Sequence, residues 1–235
     1  MELNIHIEKW PNGQVKEKYT FYKRADGKER RHGLQEEWHE NGRKKREWKW
    51  AHSKWDGTFI TWRADGTITC IGAHKKRKAH GLFKGWSQKC QLQYEKEFVD
   101  GRLERGESFS PTGELVSLVK GGTGRDISYH QNDVQASEIE WKKGREVKAT
   151  WWYTNGKVES EETWDKDGLL VSGRYFDPNG KKLSEVVDGT GTATSSCLLL
   201  KKSEGYLPDW VDPDPYFQYQ YRKGKKVSKP HLRGL

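Results

Sequence analysis

The stretch EEWHENGRKK, Glu36 to Lys45, sets a tryptophan four residues before an Asn-Gly pair in an otherwise charged segment. Asn-Gly between two such runs predicts a tight hairpin turn, because both residues accept a positive φ. The tryptophan needs a separate reason. The arrangement returns as TWRADGTIT around Trp62 and as WWYTNGKVE around Trp152. Taking the turn residue as origin gives Gly42, Gly66, Cys90, Gly113, Asp133, Gly156 and Gly180, at steps of 24, 24, 23, 20, 23 and 24 residues. Four residues before each origin stands an aromatic: Trp38, Trp62, Trp86, Phe109, Tyr129, Trp152 and Phe176. Nine before stand Gly33, Gly57, Gly81 and Gly124, and eight after stand Trp50, His74, Phe98, Trp141 and Trp164. Phe21 stands eight after Gly13 in an incomplete first unit.

A second turn lies midway through each unit: Asp26-Gly27, the basic loop Lys75 to Lys78, Asp100-Gly101, Lys143-Gly144, Asp167-Gly168 and Asp188-Gly189. The chain therefore reverses about every dozen residues, which leaves strands of roughly six to nine residues. No segment keeps a 3.6-residue period over three turns. The predicted fold is all-β: an elongated, twisted antiparallel meander of about eight hairpin repeats, each about 24 residues long. Alternation puts Leu34, Glu36 and Trp38 on one face, and likewise Thr58, Ile60 and Trp62, and Leu82, Lys84 and Trp86. Equivalent tryptophans are then expected to stack as ladders along a single-layer sheet, shielded by Lys and Glu stems.

Composition agrees with a thin sheet. Only 32% of the 235 residues are hydrophobic and 33% are charged, yet there are 12 Trp, 10 Tyr and 25 Gly. The aromatics argue against disorder, and each can bury a large area. The net charge of +9 favours contact with something acidic. Basic runs stand at Arg43 to Arg46, at Lys75 to Lys78 and between Arg222 and Arg233. The first residues lack the pattern of an export signal, no apolar run is long enough to span a membrane, and the three Cys are unpaired in sequence. These features together point to the cytoplasm.

The unit G-x-x-x-x-W-x-x-N-G, with Pro-Asn-Gly at Pro11 and Pro178 and Gly-Thr-Gly at Gly122 and Gly189, resembles the MORN-repeat variant, which groups with bacterial toxin–antitoxin antitoxin components. The resemblance covers about residues 8 to 196. It implies a grooved hairpin sheet used as a binding scaffold, and it brings no catalytic residues. Cys90 and Asp133 depart from the turn glycine, and Ser196 stands where an aromatic belongs. The expected organisation is a repeat array over 1–196 and a Pro- and aromatic-rich segment over 197–235. That segment either caps the open end with Trp210, Tyr216 and Phe217 or binds a partner. Broken by Pro208, Pro213 and Pro215, it is not expected to supply a central strand.

No constellation for catalysis stands out. GGTGRD, Gly121 to Asp126, lacks the Lys-Ser/Thr of a phosphate loop. His74 and His80 have no third metal ligand in sequence, Cys70 reads as a small packing residue, and adjacent glutamates point to opposite faces. Neither metal nor cofactor is expected. The favoured function is a non-enzymatic, protein-binding scaffold, antitoxin-like or regulatory, that sequesters an acidic partner. The alternative is binding to nucleic acid or anionic lipid. Candidate partner-binding residues are Trp62, Arg63, Lys75, Lys76, Arg77 and Trp86 in the array, and Trp210, Tyr216 and Phe217 beyond it.

Overall fold

The computed structural model describes residues 2–130, 132–195, 217–227 and 231–232. Every regular element among them is a β-strand, and the strand pairings are antiparallel, mostly between consecutive strands, with Ile68–Lys75 also pairing Gly81–Trp86 and Phe217–Arg222 pairing both Lys225–Lys226 and His231–Leu232. The chain divides into two compact units, Met1–Gly124 and Arg125–Leu235. The first holds β1 (Asn4–Lys9), β2 (Val15–Lys23), β3 (Glu29–Trp38), β4 (Lys44–Ala51), β5 (Lys54–Trp62), β6 (Ile68–Lys75), β7 (Lys78–Ala79), β8 (Gly81–Trp86), β9 (Leu92–Val99), β10 (Arg102–Phe109) and β11 (Leu115–Lys120). β12 (Thr123–Tyr129) begins at its end. The second holds β13 (Gln135–Lys142), β14 (Arg145–Trp152), β15 (Val158–Trp164), β16 (Leu170–Phe176), β17 (Lys182–Val187), β18 (Thr190–Ser195), β19 (Phe217–Arg222), β20 (Lys225–Lys226) and β21 (His231–Leu232).

The two families of turns found in the sequence are chemically distinct. Each origin turn is a three-residue loop. His39 N donates to Arg43 O at 2.8 Å, Gly42 N donates to His39 O at 2.9 Å, and Gly42 has φ +80°. This is a type I turn closed by a left-handed residue. Cys90 and Asp133 hold the same place at φ +58° and +65°, so they accept strain that the glycines avoid. The midway turns at Lys76-Arg77, Asp100-Gly101, Lys143-Gly144 and Asp188-Gly189 have two consecutive positive φ values and no spare residue, the two-residue type I′ form. Asp26-Gly27 and Asp167-Gly168 instead close three-residue loops, with only the glycine left-handed.

Six of the seven aromatics that stand four residues before an origin lie at a register shift. Pairing slips at Glu37/Trp38, Thr61/Trp62, Gly85/Trp86, Ser108/Phe109, Trp151/Trp152 and Tyr175/Phe176. A bulge there re-aims the backbone, and the freed carbonyl becomes an acceptor for the preceding repeat. Trp10 Nε1 donates to Trp38 O at 3.2 Å, His39 Nε2 meets Trp62 O at 3.0 Å, and Arg63 Nη2 donates to Trp86 O at 2.9 Å. In the second unit His130 Nε2 meets Trp152 O at 2.6 Å and Tyr153 Oη donates to Phe176 O at 2.7 Å. The turn asparagines add a parallel row: Asn12 to Glu40 O, Asn41 to Ala64 O, Asn132 to Thr154 O and Asn155 to Pro178 O, at 2.7 to 2.8 Å. Each such bond contributes about 0.5–1.5 kcal/mol. Ser87 and Ser110 turn inward, their hydroxyls accepting from the backbone of their own loops.

The expected stacking of Trp38, Trp62 and Trp86 on one another is replaced by a different arrangement. All three are half-buried, and Trp38 lies under the Lys44 ammonium at 5.4 Å. The ring contacts from Trp50 to Phe98 form on the opposite strand face, which is also the better packed one, while Tyr22, His32 and His52 form a separate ring group. That face carries Gln35, Phe59, Phe83, Ser108 and Val119, whereas Leu82 on the other side is 45% exposed. Cross-strand register explains two columns seen in the sequence. Gly33, Gly57 and Gly81 lie directly opposite Trp50, His74 and Phe98. Elsewhere rings fold over mid-strand glycines: a Cβ on Gly72 would meet the Phe59 and Phe83 rings at 2.6 Å, and Tyr94 and Tyr175 cover Gly85 and Gly173 in the same way. Ring over glycine, a known device for rescuing glycine in sheets, is the packing unit here.

The second unit has a more apolar packed face. Ile139, Ala149 and Trp151 form one buried cluster, and Leu170, Tyr175, Val186 and Ala193 form another, with Trp141, Trp164 and Tyr221 against them. The segment beyond residue 196 does supply a strand with partners on both sides. β19 pairs with β18 from Gly191↔Tyr221 to Ser195↔Phe217, and with β20 and β21 on its other edge. The run Phe217 to Arg222 follows the last of the clustered prolines, so its N–H groups are available to the ladder.

Candidate functional site

The first unit concentrates both rings and charge. Residues 1–124 hold 25 Lys and Arg against 17 Asp and Glu, so eight of the nine net positive charges lie there. Along its packed face the rings touch in sequence. Trp50 meets Trp55 at 6.0 Å, Trp55 meets His74 at 5.3 Å, His74 meets Phe83 at 5.7 Å, and Phe83 meets Phe98 at 5.1 Å. Phe59 closes on His74 and Phe83 at 5.5 and 5.6 Å. Most pairs are edge-to-face, the geometry favoured by the ring quadrupole. All of these rings keep part of their surface in solvent. Burial lowers the His74 pKa, so its imidazole is neutral at pH 7.

At one end of this tract Arg31 is flanked by rings, 4.2 Å from Tyr19 and 5.7 Å from Trp50. Its Nη1 donates to Gln35 Oε1 at 2.7 Å, as does Trp50 Nε1 at 2.7 Å. Gln35, only 1% exposed, passes its own amide hydrogen to Glu17. This network fixes the rings in place. At the other border the Lys76-Arg77 turn projects from the strand that carries His74. Lys75, Lys76, Arg77 and Lys78 are all exposed there, beside exposed Lys54 and Arg102 on the neighbouring turns.

The candidate residues read from sequence fare unequally. Lys75 and Lys76 are free surface cations beside the ring tract. Arg77 is exposed, but Nη2 donates to Ser53 O at 2.9 Å. Arg63 is spent inside the fold, on Trp86 O, Thr67 and Ile68 O. Trp62 and Trp86 stand at bulges away from the ring tract. Trp210 and Tyr216 lie outside the described residues, and of Phe217 only the backbone is described. Sequence reading missed Arg31, Phe59 and Phe83. The column eight after the turn, with Trp50, His74 and Phe98, was the signal that could have found the tract.

Other chemistry is modest. Cys70 is half-buried with Sγ 3.2 Å from Tyr94 Oη, and burial pushes its thiol pKa up, which suits a packing residue. His6, Glu8 and Glu17 bring ligand atoms within 4.8 Å of one another, but Lys16 Nζ already pairs with Glu8 at 2.8 Å. His80 meets Asp100 at 3.5 Å, while His74 is enclosed by rings. Among the described residues no helix is long and apolar enough to cross a membrane.

The MORN repeat variant matches the chain at residues 31–51 and 145–166. Those spans hold the β3–β4 and β14–β15 hairpins, which turn on Asn41-Gly42 and Asn155-Gly156. No curated protein sequence matches the chain. Among solved structures it is similar to "Crystal Structure of TcdB2-TccC3-Cdc42" at 10% identity and TM-score 0.16, covering 88% of this chain and 14% of that one. It is also similar to "Crystal Structure of TcdB2-TccC3" at 9% identity and TM-score 0.17, covering 96% and 17%. The chain thus spans less than a fifth of the length of either. What the chain shares with the MORN repeat variant is the hairpin unit itself, present in each of its two compact units.

Proposed function

We propose that the chain is a non-enzymatic binding scaffold whose first unit engages an acidic partner protein. One observation carries this reading: a continuous tract of touching rings, Trp50 to Phe98, stays half open to solvent and is bordered by the exposed cations Lys75 to Lys78. Large amphipathic rings held rigidly lose little entropy on contact, and they are the residue type that dominates binding hot spots. The basic border speeds encounter with an acidic surface and excludes basic ones. A cytoplasmic antitoxin-like or regulatory subunit, which sequesters a partner, fits this chemistry.

The test is recovery of a partner from the native host at about 0.5 M salt, where contacts to phosphate are strongly weakened. The scaffold reading expects a protein that wild type retains and that is lost both with Phe83→Ala and with Lys75→Glu/Lys76→Glu. Recovery of nucleic acid at low salt, with no protein at high salt, would reverse the assignment in favour of a nucleic-acid-binding module.

A further inference from the structure

The second unit half-buries a carboxylate on its packed face and surrounds it with little polar company. Glu162 lies mid-strand in β15 on the packed face, six residues after a turn glycine. Equivalent positions in other repeats hold Tyr19, Trp48, Gly72, Lys96, Val119, Ile139 and Val186. Its direct cross-strand neighbours are Ala149 on β14 and Gly173 on β16. Both are small, so the carboxyl group stands over a low floor between tall side chains. Trp164 follows it on the same face, with Trp151 edge-on to Trp164 at 6.2 Å and 87°. Tyr175 folds back over Gly173 and donates its hydroxyl to Glu162 Oε1 at 2.6 Å. Trp141 and Tyr221 pack against the two buried clusters on either side.

Glu162 is an ionisable group beside these rings that lacks a cationic complement. Among the described residues no Lys, Arg or His pairs with Glu162. Glu146 and Tyr221 are the other titratable groups that act on it. Next to it on β15, Ser160 is fully buried and its Oγ has no hydrogen-bond partner; the buried Trp141 Nε1 also lacks one. A lone carboxylate among rings is costly to hold without a cation, and rings around a carboxylate suit a cation that both can attract.

We propose that Glu162, with the rings of Trp164, Tyr175 and Tyr221, forms a recognition site for a single alkylammonium group, the head of a lysine side chain on a partner. The choice of ammonium over guanidinium follows from the carboxylate. Tyr175 already takes one acceptor position of Oε1, which leaves Oε2 the oxygen with both positions open. A guanidinium fork needs both oxygens for its paired hydrogen bonds, whereas an ammonium binds as a point charge. Glu146 adds attraction without needing contact. The pKa of Glu162, pushed up to about 7 by burial, is consistent with a carboxyl group waiting for a counterion. The site is separate from the ring tract of the first unit and does not depend on that tract binding anything.

The test uses the full chain and n-butylammonium, a minimal lysine head, followed through the indole N–H signals of Trp141 and Trp164. Saturable shifts are expected at concentrations on the order of 1–10 mM, in keeping with so few ligand atoms. Uncharged 1-pentanol should leave those signals unchanged, and Glu162→Gln should weaken the ammonium at least tenfold while keeping the native spectrum. Tyr175→Phe keeps the carboxylate and releases Oε1, so n-butylguanidinium should gain relative to n-butylammonium. Shifts of equal size with 1-pentanol, or a Glu162→Gln affinity within twofold of wild type, would overturn the proposal, as would no saturation with n-butylammonium.

Discussion

Replacing Glu162 by glutamine should stabilise the protein above neutral pH and leave it nearly unchanged at pH 5. The side chain's ordinary pKa is 4.5 and burial raises it to about 7 in the fold, with the Tyr175 hydroxyl opposing part of that rise and Glu146 adding to it. Between those two values the folded chain keeps a proton that the unfolded chain releases. The unfolded state therefore binds fewer protons, and stability falls as pH rises through that window. At about 1.4 kcal/mol per unit, the full window is worth roughly 3 kcal/mol by pH 8. Glutamine cannot ionise, is nearly isosteric, and still accepts the Tyr175 hydroxyl. For a chain of this size about 3 kcal/mol corresponds to a Tm difference of roughly 6–12 °C. Thermal scans of both proteins at half-unit steps from pH 5 to 8.5 should diverge up to about pH 7 and keep a constant separation above it. Tyr175→Phe removes the bond that favours the ionised form, so its pH window should move upward. Curves that run parallel across the range, or a glutamine variant less stable at pH 8, would refute the claim that the fold buries this carboxyl without a cation.

Further tests address the packing devices one at a time. Asn41→Ala and Asn155→Ala each remove a single inter-repeat hydrogen bond, and urea unfolding should show losses of about 0.5–1.5 kcal/mol apiece. Gly173→Ala adds a Cβ within 2.5 Å of Tyr175 Oη, which must lift the ring off Glu162; a loss of about 1–3 kcal/mol is expected on denaturation. Phe83→Ala removes the ring shared by Phe59, His74 and Phe98, and calorimetry should show a destabilisation of about 2–3 kcal/mol, below a full core truncation because the ring is half exposed. Lys75→Glu/Lys76→Glu should stay within about 0.5 kcal/mol of wild type in the same assay, because both ammonium groups are surface-exposed.

The turns were the most legible part of the chain, because a positive φ is a local demand that Asn, Asp and Gly advertise. Even the substitutions at Cys90 and Asp133 kept the left-handed backbone that their repeat position required. The strands followed from turn spacing. What spacing could not show was the bulge at Trp38 and its equivalents. A bulge shifts register by one residue and is invisible to a period-two count. The six-to-nine residue strands and the aromatic columns were therefore right in position, while contact between rings was assigned to the wrong column. His74 illustrates the reason. It stood in register with Trp50 and Phe98 in the sequence, and the structure joins these three rings through Trp55 and Phe83, which a fixed offset from the turn had not singled out. Glu162 was hidden for a related cause: a glutamate on a charged strand looks solvated until its neighbours, Ala149 and Gly173, are known to be its cross-strand partners.

The two units pack one repeat differently, and the difference shows in a single row of side chains. Six residues after the turn, on the packed face, the first unit places Tyr19, Trp48, Gly72, Lys96 and Val119, and the second places Ile139, Glu162 and Val186. Rings and a lysine leave that face of the first unit half open, with cations along the adjacent turns. Aliphatic residues close the second unit into small buried clusters, so the one carboxylate placed there is desolvated instead of solvated. The backbone latches of Asn41 and Asn155 are alike in both units, so hairpin geometry does not set this difference. Glu162→Val should convert the second unit's face to a continuous apolar layer and remove its pH dependence, while the ring tract of the first unit, built from different strands, keeps its contacts. If that substitution instead disturbed the His74 and Phe83 signals of the first unit, the two faces would be energetically coupled, and their independent use as an acidic-partner surface and an ammonium site would no longer stand.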